Sequence, residues 1–198
     1  MWLYIKHPIS AFRLGFYYVF ATTIGRLVYP NYIFKSKYFC TVGGIGWKWV
    51  TKCFFTQKIL GFNRHVPWPC SPHILVAYPE NIVFDVDDLN NFMTIGNYYQ
   101  AIGLLSIGKG TYIAPNVGII TENHCLSDPE KRAGARSVQI GEKCWIGMNA
   151  MLLPGVTLGE HVVVGAGSVV TKSFPEGFCV IAGNPAKVLK YIDLEESN

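Results

Sequence analysis

Ile140-Gly141-Glu142-Lys143-Cys144-Trp145-Ile146-Gly147-Met148-Asn149-Ala150-Met151-Leu152-Leu153-Pro154-Gly155-Val156-Thr157-Leu158 places an aliphatic side chain at every sixth position, and the register continues through Val164 and Val170. Strands alternate with period two and helices repeat near 3.6 residues, so a strict six belongs to neither. It fits short strands joined by corners in a coiling parallel sheet, each hexapeptide forming one side of a coil. Upstream the same register reads Val83, Leu89, Ile95, Ala101, Ile107, Ile113 and Ile119, so that twelve of the thirteen positions are Val, Ile or Leu. These residues are expected to point inward. The residue after them is often glycine (Gly96, Gly108, Gly141, Gly147, Gly159, Gly165), which suits a tight or positive-φ corner. The fifth position of each unit, small or medium at Thr111, Val117, Cys144, Ala150, Val156, Val162 and Ser168, is expected to stack inward on its equivalents above and below.

The chain has 198 residues and 50% hydrophobic content, enough for one domain with a real core and an N-terminal extension. Its net charge of +4 hides an asymmetry: residues 1–80 hold nine Lys/Arg against the single acid Glu80, while residues 81–198 hold eight against twelve acids. The basic half is also the aromatic half. Six cysteines (Cys40, Cys53, Cys70, Cys125, Cys144, Cys179) show neither CxxC nor metal-ligand spacing, which reads as a reducing, cytoplasmic location. The apolar stretch Leu14–Gly25 lies between Arg13 and Arg26, lacks a cleavage site, and at twelve residues is shorter than the roughly twenty a spanning helix needs.

Residues 8–29 read as an aromatic-rich helix with two readings open: a cap or subunit contact covering an open end of the coil stack, or a helix lying in a membrane interface. Lysines interleaved with Trp47, Trp49, Phe54 and Phe55 suit an anionic headgroup layer at the inner face of a membrane. No nucleic-acid-binding motif accompanies the basic region. The division expected is an N-terminal extension over 1–60, a repeat domain over 61–192 and a tail over 193–198.

Between Ile119 and Ile140 the spacing is 21, so a polar loop over residues 125–138 interrupts the coil and should project from it. His124 stands at its root. Only one other histidine, His161, falls inside the repeat, at a position expected to face solvent.

Four stretches now carry a resemblance: Ile113-Ala-Pro-Asn-Val-Gly-Ile-Ile-Thr-Glu-Asn-His124, Ile140 to Gly159, Val164-Gly-Ala-Gly-Ser-Val-Val-Thr-Lys172 and Ala182-Gly-Asn-Pro-Ala-Lys187. Together they resemble the acetyl-CoA-dependent O-acetyltransferases of the galactoside, maltose and polysaccharide type. The stretches Gly61-Phe-Asn-Arg-His-Val-Pro-Trp-Pro and Gly96-Asn-Tyr-Tyr-Gln resemble the branch associated with capsular polysaccharide and O-antigen modification. The resemblance implies a left-handed parallel β-helix of three-sided coils, a little over four of them here, followed by a short C-terminal helix over 186–194. It implies a homotrimer with active sites shared between chains.

It also implies that His124 is the general base, taking a proton from an acceptor hydroxyl that attacks the thioester of acetyl-CoA. Imidazole suits that role because it changes protonation near neutral pH. Its orientation would come from a bond at the other ring nitrogen, to a backbone carbonyl or to Glu122. The implied cofactor-binding residues are Trp145, Met148, Ala166, Thr171, Lys172, Lys187 and Lys190, the last two near the nucleotide phosphates. Asn97, Asp85 and Asp87 are the implied substrate-binding residues, the two acids sharing with Asp88 the alternative of a solvated corner. No metal is required. The reading is an O-acetyltransferase acting on a sugar hydroxyl in surface polysaccharide biosynthesis. The alternatives are a serine or small-amine acceptor and a non-catalytic β-helix binding module. A zinc-dependent hydrase on the same scaffold needs three converging histidines, which the repeat does not hold.

Overall fold

The computed structural model describes residues 8–193. The chain divides into two compact units, the first ending at Pro72 and the second beginning at His73.

In the first unit an α-helix over Pro8–Phe20 passes through a π-helical turn over Ala21–Gly25 into a last turn over Arg26–Val28. Two short 3-10 turns, Asn31–Lys35 and Lys37–Phe39, lead to an α-helix over Ile45–Cys53, itself prolonged by a π-helical segment over Phe54–Ile59. Tyr29, Ile33, Phe39, Trp47 and Val50 are buried here, and aromatic pairs such as Phe39 with Trp47 (4.9 Å, edge to face) hold the short elements together. Gln57 is fully buried and ties residues 61–72 to the helices. Its Oε1 accepts from the Tyr29 hydroxyl (2.9 Å) and the Cys70 amide (3.2 Å), and its Nε2 donates to the carbonyls of Asn63 and Trp68 (both 3.2 Å). The expected boundary between residues 60 and 61 therefore falls inside this unit.

The second unit is a parallel β-helix with three faces. The first face stacks Leu75–Val76, Tyr98–Tyr99, Gly118–Ile119, Met151–Leu152 and Val169–Val170. The second stacks Ile82–Phe84, Leu105–Ile107, Val138–Ile140 and Thr157–Leu158, prolonged by a bridge to Phe174. The third stacks Tyr112–Ile113, Trp145–Ile146, Val163–Val164 and Cys179–Gly183, with Ala186–Tyr191 at its edge. The chain runs from first face to second to third and back. Inward rows are aligned across strands, as in Tyr99, Ile119 and Leu152 or Ile113, Ile146 and Val164. All the fifth-position residues named above are buried, as their small size allows.

Three expectations are corrected. Val83 and Ile95 are more than half exposed, because the strict six begins only at Ile107. Before it the register of the inward row steps by eight, from Tyr99 to Ile107, and 3-10 turns fill the corner over Val86–Phe92. Val83 consequently aligns with outward Ser106, while Ile82 and Phe84 align with buried Leu105 and Ile107.

The corner glycines also act differently from what was expected. Positive φ falls three residues after each inward aliphatic, at Gly110, Asn116, Lys143, Asn149, Gly155, His161 and Gly167. Gly96 does take a positive φ (73°), as expected, but from Gly108 onward the glycines directly after the aliphatic are needed for close stacking instead: a Cβ on Gly141 would lie 2.5 Å from the Gly159 backbone, and one on Gly159 2.3 Å from the Pro175 carbonyl.

Finally, no helix forms over 186–191. Ala186–Tyr191 is a strand antiparallel to Cys179–Gly183, turned back at Asn184-Pro185, because it covers the otherwise unpaired edge of the third face. Residues 192 and 193 follow the strand without helix, and residues 194–198, which hold the last position of the expected helix and nearly all of the tail, lie outside the described residues.

Candidate active site

The long interruption is a β-hairpin. His124–Cys125 pairs antiparallel with Asp128–Arg132, and exposed Leu126 sits in the turn between them. It leaves the corner between the first and second faces, where Thr121 is the buried anchor. Thr121 Oγ1 accepts from Gly103 N (3.0 Å), and its carbonyl accepts from Arg136 N (2.7 Å), so the outgoing strand is pinned to a neighbouring coil and the returning strand to the outgoing one. Gln100, one coil away, accepts with a single Oε1 from both Thr121 N (2.9 Å) and Glu122 N (2.8 Å). On the opposite side the Arg136 guanidinium lies against Gly155, where a Cβ would come within 2.4 Å of it.

His124 is exposed, and its Nδ1 bonds the backbone carbonyl of Pro129 across the hairpin. A carbonyl can only accept, so Nδ1 is the donor in this bond, and in the neutral ring Nε2 is the nitrogen with the lone pair. Of the two orienting groups read from the sequence, the backbone carbonyl is therefore the one used. Glu122 is turned to Arg132 instead (2.7 Å), and that carboxylate holds the guanidinium above its usual range. The pair bridges the two strands at the hairpin base, where Arg132 is the register partner of His124.

The remaining residues read from the sequence fall into four groups. Trp145, Lys187 and Lys190 share the outer side of the third face: Tyr112, Trp145, Val163, Val180 and Lys190 are successive partners along one row, and Lys187 pairs with Ala182 beside it. At strand spacings near 4.8 Å, Lys190 stands about 14 Å from Trp145 along that row. Exposed Met148 and Ala166 occupy the adjoining corner, where Gly167 N donates to Met148 O (2.8 Å). Thr171 and Lys172 lie at the corner that bears His124, the Lys172 Nζ 5.6 Å from the Phe174 ring.

The fourth group, Asn97, Asp85 and Asp87, is not brought to His124. Asn97 is buried to 1% exposure, its Nδ2 donating to the Tyr99 hydroxyl (3.0 Å) and its Oδ1 accepting from Val117 N (3.0 Å). Both ends of the amide are used inside the coil, so it is a core residue and not an acceptor contact. Asp85 and Asp87 belong to the opposite corner, between the second and third faces. There Asp85 caps the 3-10 turn by accepting from Asp87 N (2.9 Å), and both face Lys109 at 3.3 and 3.9 Å. Asp88 is buried and accepts from Gly110 N (2.7 Å). These carboxylates build a turn in the same chain, which is the solvated-corner alternative.

The sequence reading missed Gln100, Thr121, Arg132 and Arg136. Gln100 appears there only inside a quoted motif. Its importance comes from two amides more than twenty residues away in sequence, and no local pattern signals that. Among the described residues no three His, Cys, Asp or Glu side chains are grouped to hold a metal ion.

Comparison with known proteins bears on residues 137–172, which match the family described as bacterial transferase hexapeptide (six repeats). A putative acetyltransferase of Saccharomyces cerevisiae is 43% identical over 144 residues, covering 68% of this chain and 71% of that protein. A putative lipopolysaccharide biosynthesis O-acetyltransferase of Escherichia coli is 36% identical over 130 residues, covering 59% of this chain and 64% of that protein, so the chain spans somewhat less than two thirds of its length. A solved structure of galactoside acetyltransferase in complex with coenzyme A superposes with a TM-score of 0.56 at 27% identity, covering 66% of this chain and 64% of that one.

Proposed function

From the premise that this chain belongs to the hexapeptide-repeat acetyltransferases, built on their left-handed parallel β-helix, we propose that it moves an acetyl group from acetyl-CoA to a sugar hydroxyl in the making of a surface polysaccharide. The carrying observation is the His124 ring: with Nδ1 committed to the Pro129 carbonyl, Nε2 is the ring nitrogen left to accept a proton, at the root of a hairpin clamped on both sides. The acceptor O–H gives its proton to Nε2 as the oxygen attacks the thioester carbonyl carbon. The tetrahedral adduct then expels the thiolate of CoA, which recovers the proton from the imidazolium, leaving an acetyl ester and the free thiol. Acetyl-CoA supplies an acyl group already activated as a thioester, so no protein nucleophile is required.

The residues present fit that co-substrate. Exposed Trp145 and Tyr112 offer flat surface along which a pantetheine arm could lie. Lys187 and Lys190 on the same face provide cations for the nucleotide phosphates. Thr171 and Lys172 would meet the arm where it reaches the His124 corner.

Two of the three outer faces are apolar: Leu75, Tyr98, Met151 and Val169 line the first, and Tyr112, Trp145, Val163 and Val180 the third. The second carries Ser106, Gln139 and Thr157. Two adjoining apolar faces on one prism support assembly with two neighbours, as a homotrimer needs, with the groove between prisms holding the pantetheine arm. The sugar acceptor rests on the kinship with the Escherichia coli O-acetyltransferase.

The test is thiol release from acetyl-CoA on addition of candidate sugars and glycans. His124→Ala is expected to lose at least about a hundredfold in turnover. Activity within threefold of the wild type overturns the assignment of the base.

A further inference from the structure

Residues 8–72 carry eight Lys/Arg and no Asp or Glu. The unit they form leaves a line of large apolar side chains uncovered. Along Pro8–Val28, Phe12, Phe16, Val19 and Leu27 follow one another at helical spacing and are 49–87% exposed. The line continues sideways. Phe16 lies 5.9 Å from Phe20, which stacks on exposed Phe55 at 5.7 Å, and Ile59 and Leu60 follow Phe55, also exposed. Such a surface is larger than the scattered apolar residues a soluble protein ordinarily shows to water.

The polar groups on this surface are already satisfied within it. Thr22 and Thr23 hydroxyls donate back to the carbonyls of Tyr18 and Val19 (2.8 and 2.7 Å), and the Thr56 hydroxyl to that of Lys52 (3.3 Å). A hydroxyl bonded to its own helix costs little to remove from water, and an unbonded one costs far more. Arg13, Arg26 and Lys52 are exposed among these residues, and their long stems let the charges reach out while the apolar face goes in. No helix among the described residues is long and apolar enough to cross a membrane.

We infer that this face of the N-terminal unit docks in the plane of an anionic lipid surface, its aromatic and aliphatic side chains in the boundary between headgroups and acyl chains and its cations among the headgroups. Charge complementarity selects the occupant. A second copy of the unit would bring cations against cations with no carboxylate to pair them. The inference stands apart from acetyl transfer, since it concerns binding and not turnover.

The experiment is co-flotation of the full-length protein with phosphatidylcholine vesicles and with vesicles containing phosphatidylglycerol, alongside light scattering without lipid. Recovery with the anionic vesicles is expected to exceed that with neutral ones at least tenfold and to fall with added salt. The double substitution Phe12→Asp/Leu27→Asp, at two of the most exposed positions of the unit, is expected to remove most of that recovery while leaving the thermal melt unchanged. Arg13→Gln/Arg26→Gln is expected to weaken the preference for anionic vesicles without touching the apolar line. Equal recovery from both vesicle types, or retention by the Asp double variant, overturns the inference. So does lipid-free self-association that the same Asp substitutions abolish, for the surface is then a contact between copies.

Discussion

Gln100→Leu isolates the support under the candidate base. One carboxamide oxygen accepts from two consecutive amides, Thr121 N and Glu122 N, and Thr121 has no exposure to water. Leucine is of similar size but accepts nothing. Leaving a buried donor unmade costs about 1–3 kcal/mol, and as both bonds are only partly buried the lower end applies, giving about 2 kcal/mol for the pair. In a domain of this size that lowers the melting temperature by roughly 6–8 °C. The kinetic effect follows from position, since His124 is two residues beyond the second of these amides. A shift of the hairpin by about 1 Å moves Nε2 off the acceptor hydroxyl, and displacements of that order cost up to about a hundredfold. We expect kcat to fall at least tenfold and KM for acetyl-CoA to stay within threefold, because the third face is untouched. Gln100→Glu keeps an acceptor oxygen and should recover most of the melting temperature. A Gln100→Leu protein that melts within 1 °C of the wild type and turns over within threefold would refute the positioning role.

Lys187→Glu/Lys190→Glu should raise KM for acetyl-CoA at least tenfold with kcat within twofold, and an unchanged KM would remove the third face from cofactor binding. Gly159→Ala forces a Cβ to 2.3 Å from the Pro175 carbonyl and 2.6 Å from Gly177 N, backbone atoms that cannot step aside, so overpacking should cost about 1–3 kcal/mol in urea unfolding. Burial pushes the Cys53 thiol up to about 12 from an ordinary value of 9.0. The protonated thiol is kept by the folded chain and released sooner by the unfolded one, so its stabilising contribution is whole below pH 9 and declines as pH rises toward 12. One such group contributes a slope of about 1.4 kcal/mol per pH unit, and Cys53→Ala should reduce the fall of urea midpoints between pH 9 and 11, to which buried Cys70, Tyr29 and Tyr99 also contribute.

The β-helix was readable because a hexapeptide repeat is local. Each unit makes the same demand on its own aliphatic and on its own fifth-position residue, and stacking multiplies that demand coil after coil. Reading failed where the chain leaves the repeat. Val83 fell into register by coincidence, and only pairing with Ser106 shows that it faces out. Residues 186–191 have a composition that a helix or a strand could use, and the open edge of the third face decided for the strand. The place of His124 at the root of the hairpin was legible because the break in spacing singled it out. Asn97 was misplaced because an asparagine next to a corner looks the same whether its amide faces a ligand or the coil interior.

Periodicity in the sequence alone determined the coil, its inward rows from Ile107 onward and the site of the protruding hairpin, since these depend on residues six or fewer positions apart. Only the tertiary structure decided which nitrogen of His124 bonds the Pro129 carbonyl, that Glu122 is spent on Arg132, and that Gln100 carries the strand leading to the imidazole. It also decided that Asp85 and Asp87 belong to another corner, with Lys109. Hydrogen bonds and ion pairs act over about 3–4 Å of space without regard to sequence distance. A solenoid brings positions roughly one coil apart into contact, so the partners that tune the site lie about twenty residues from the groups they serve.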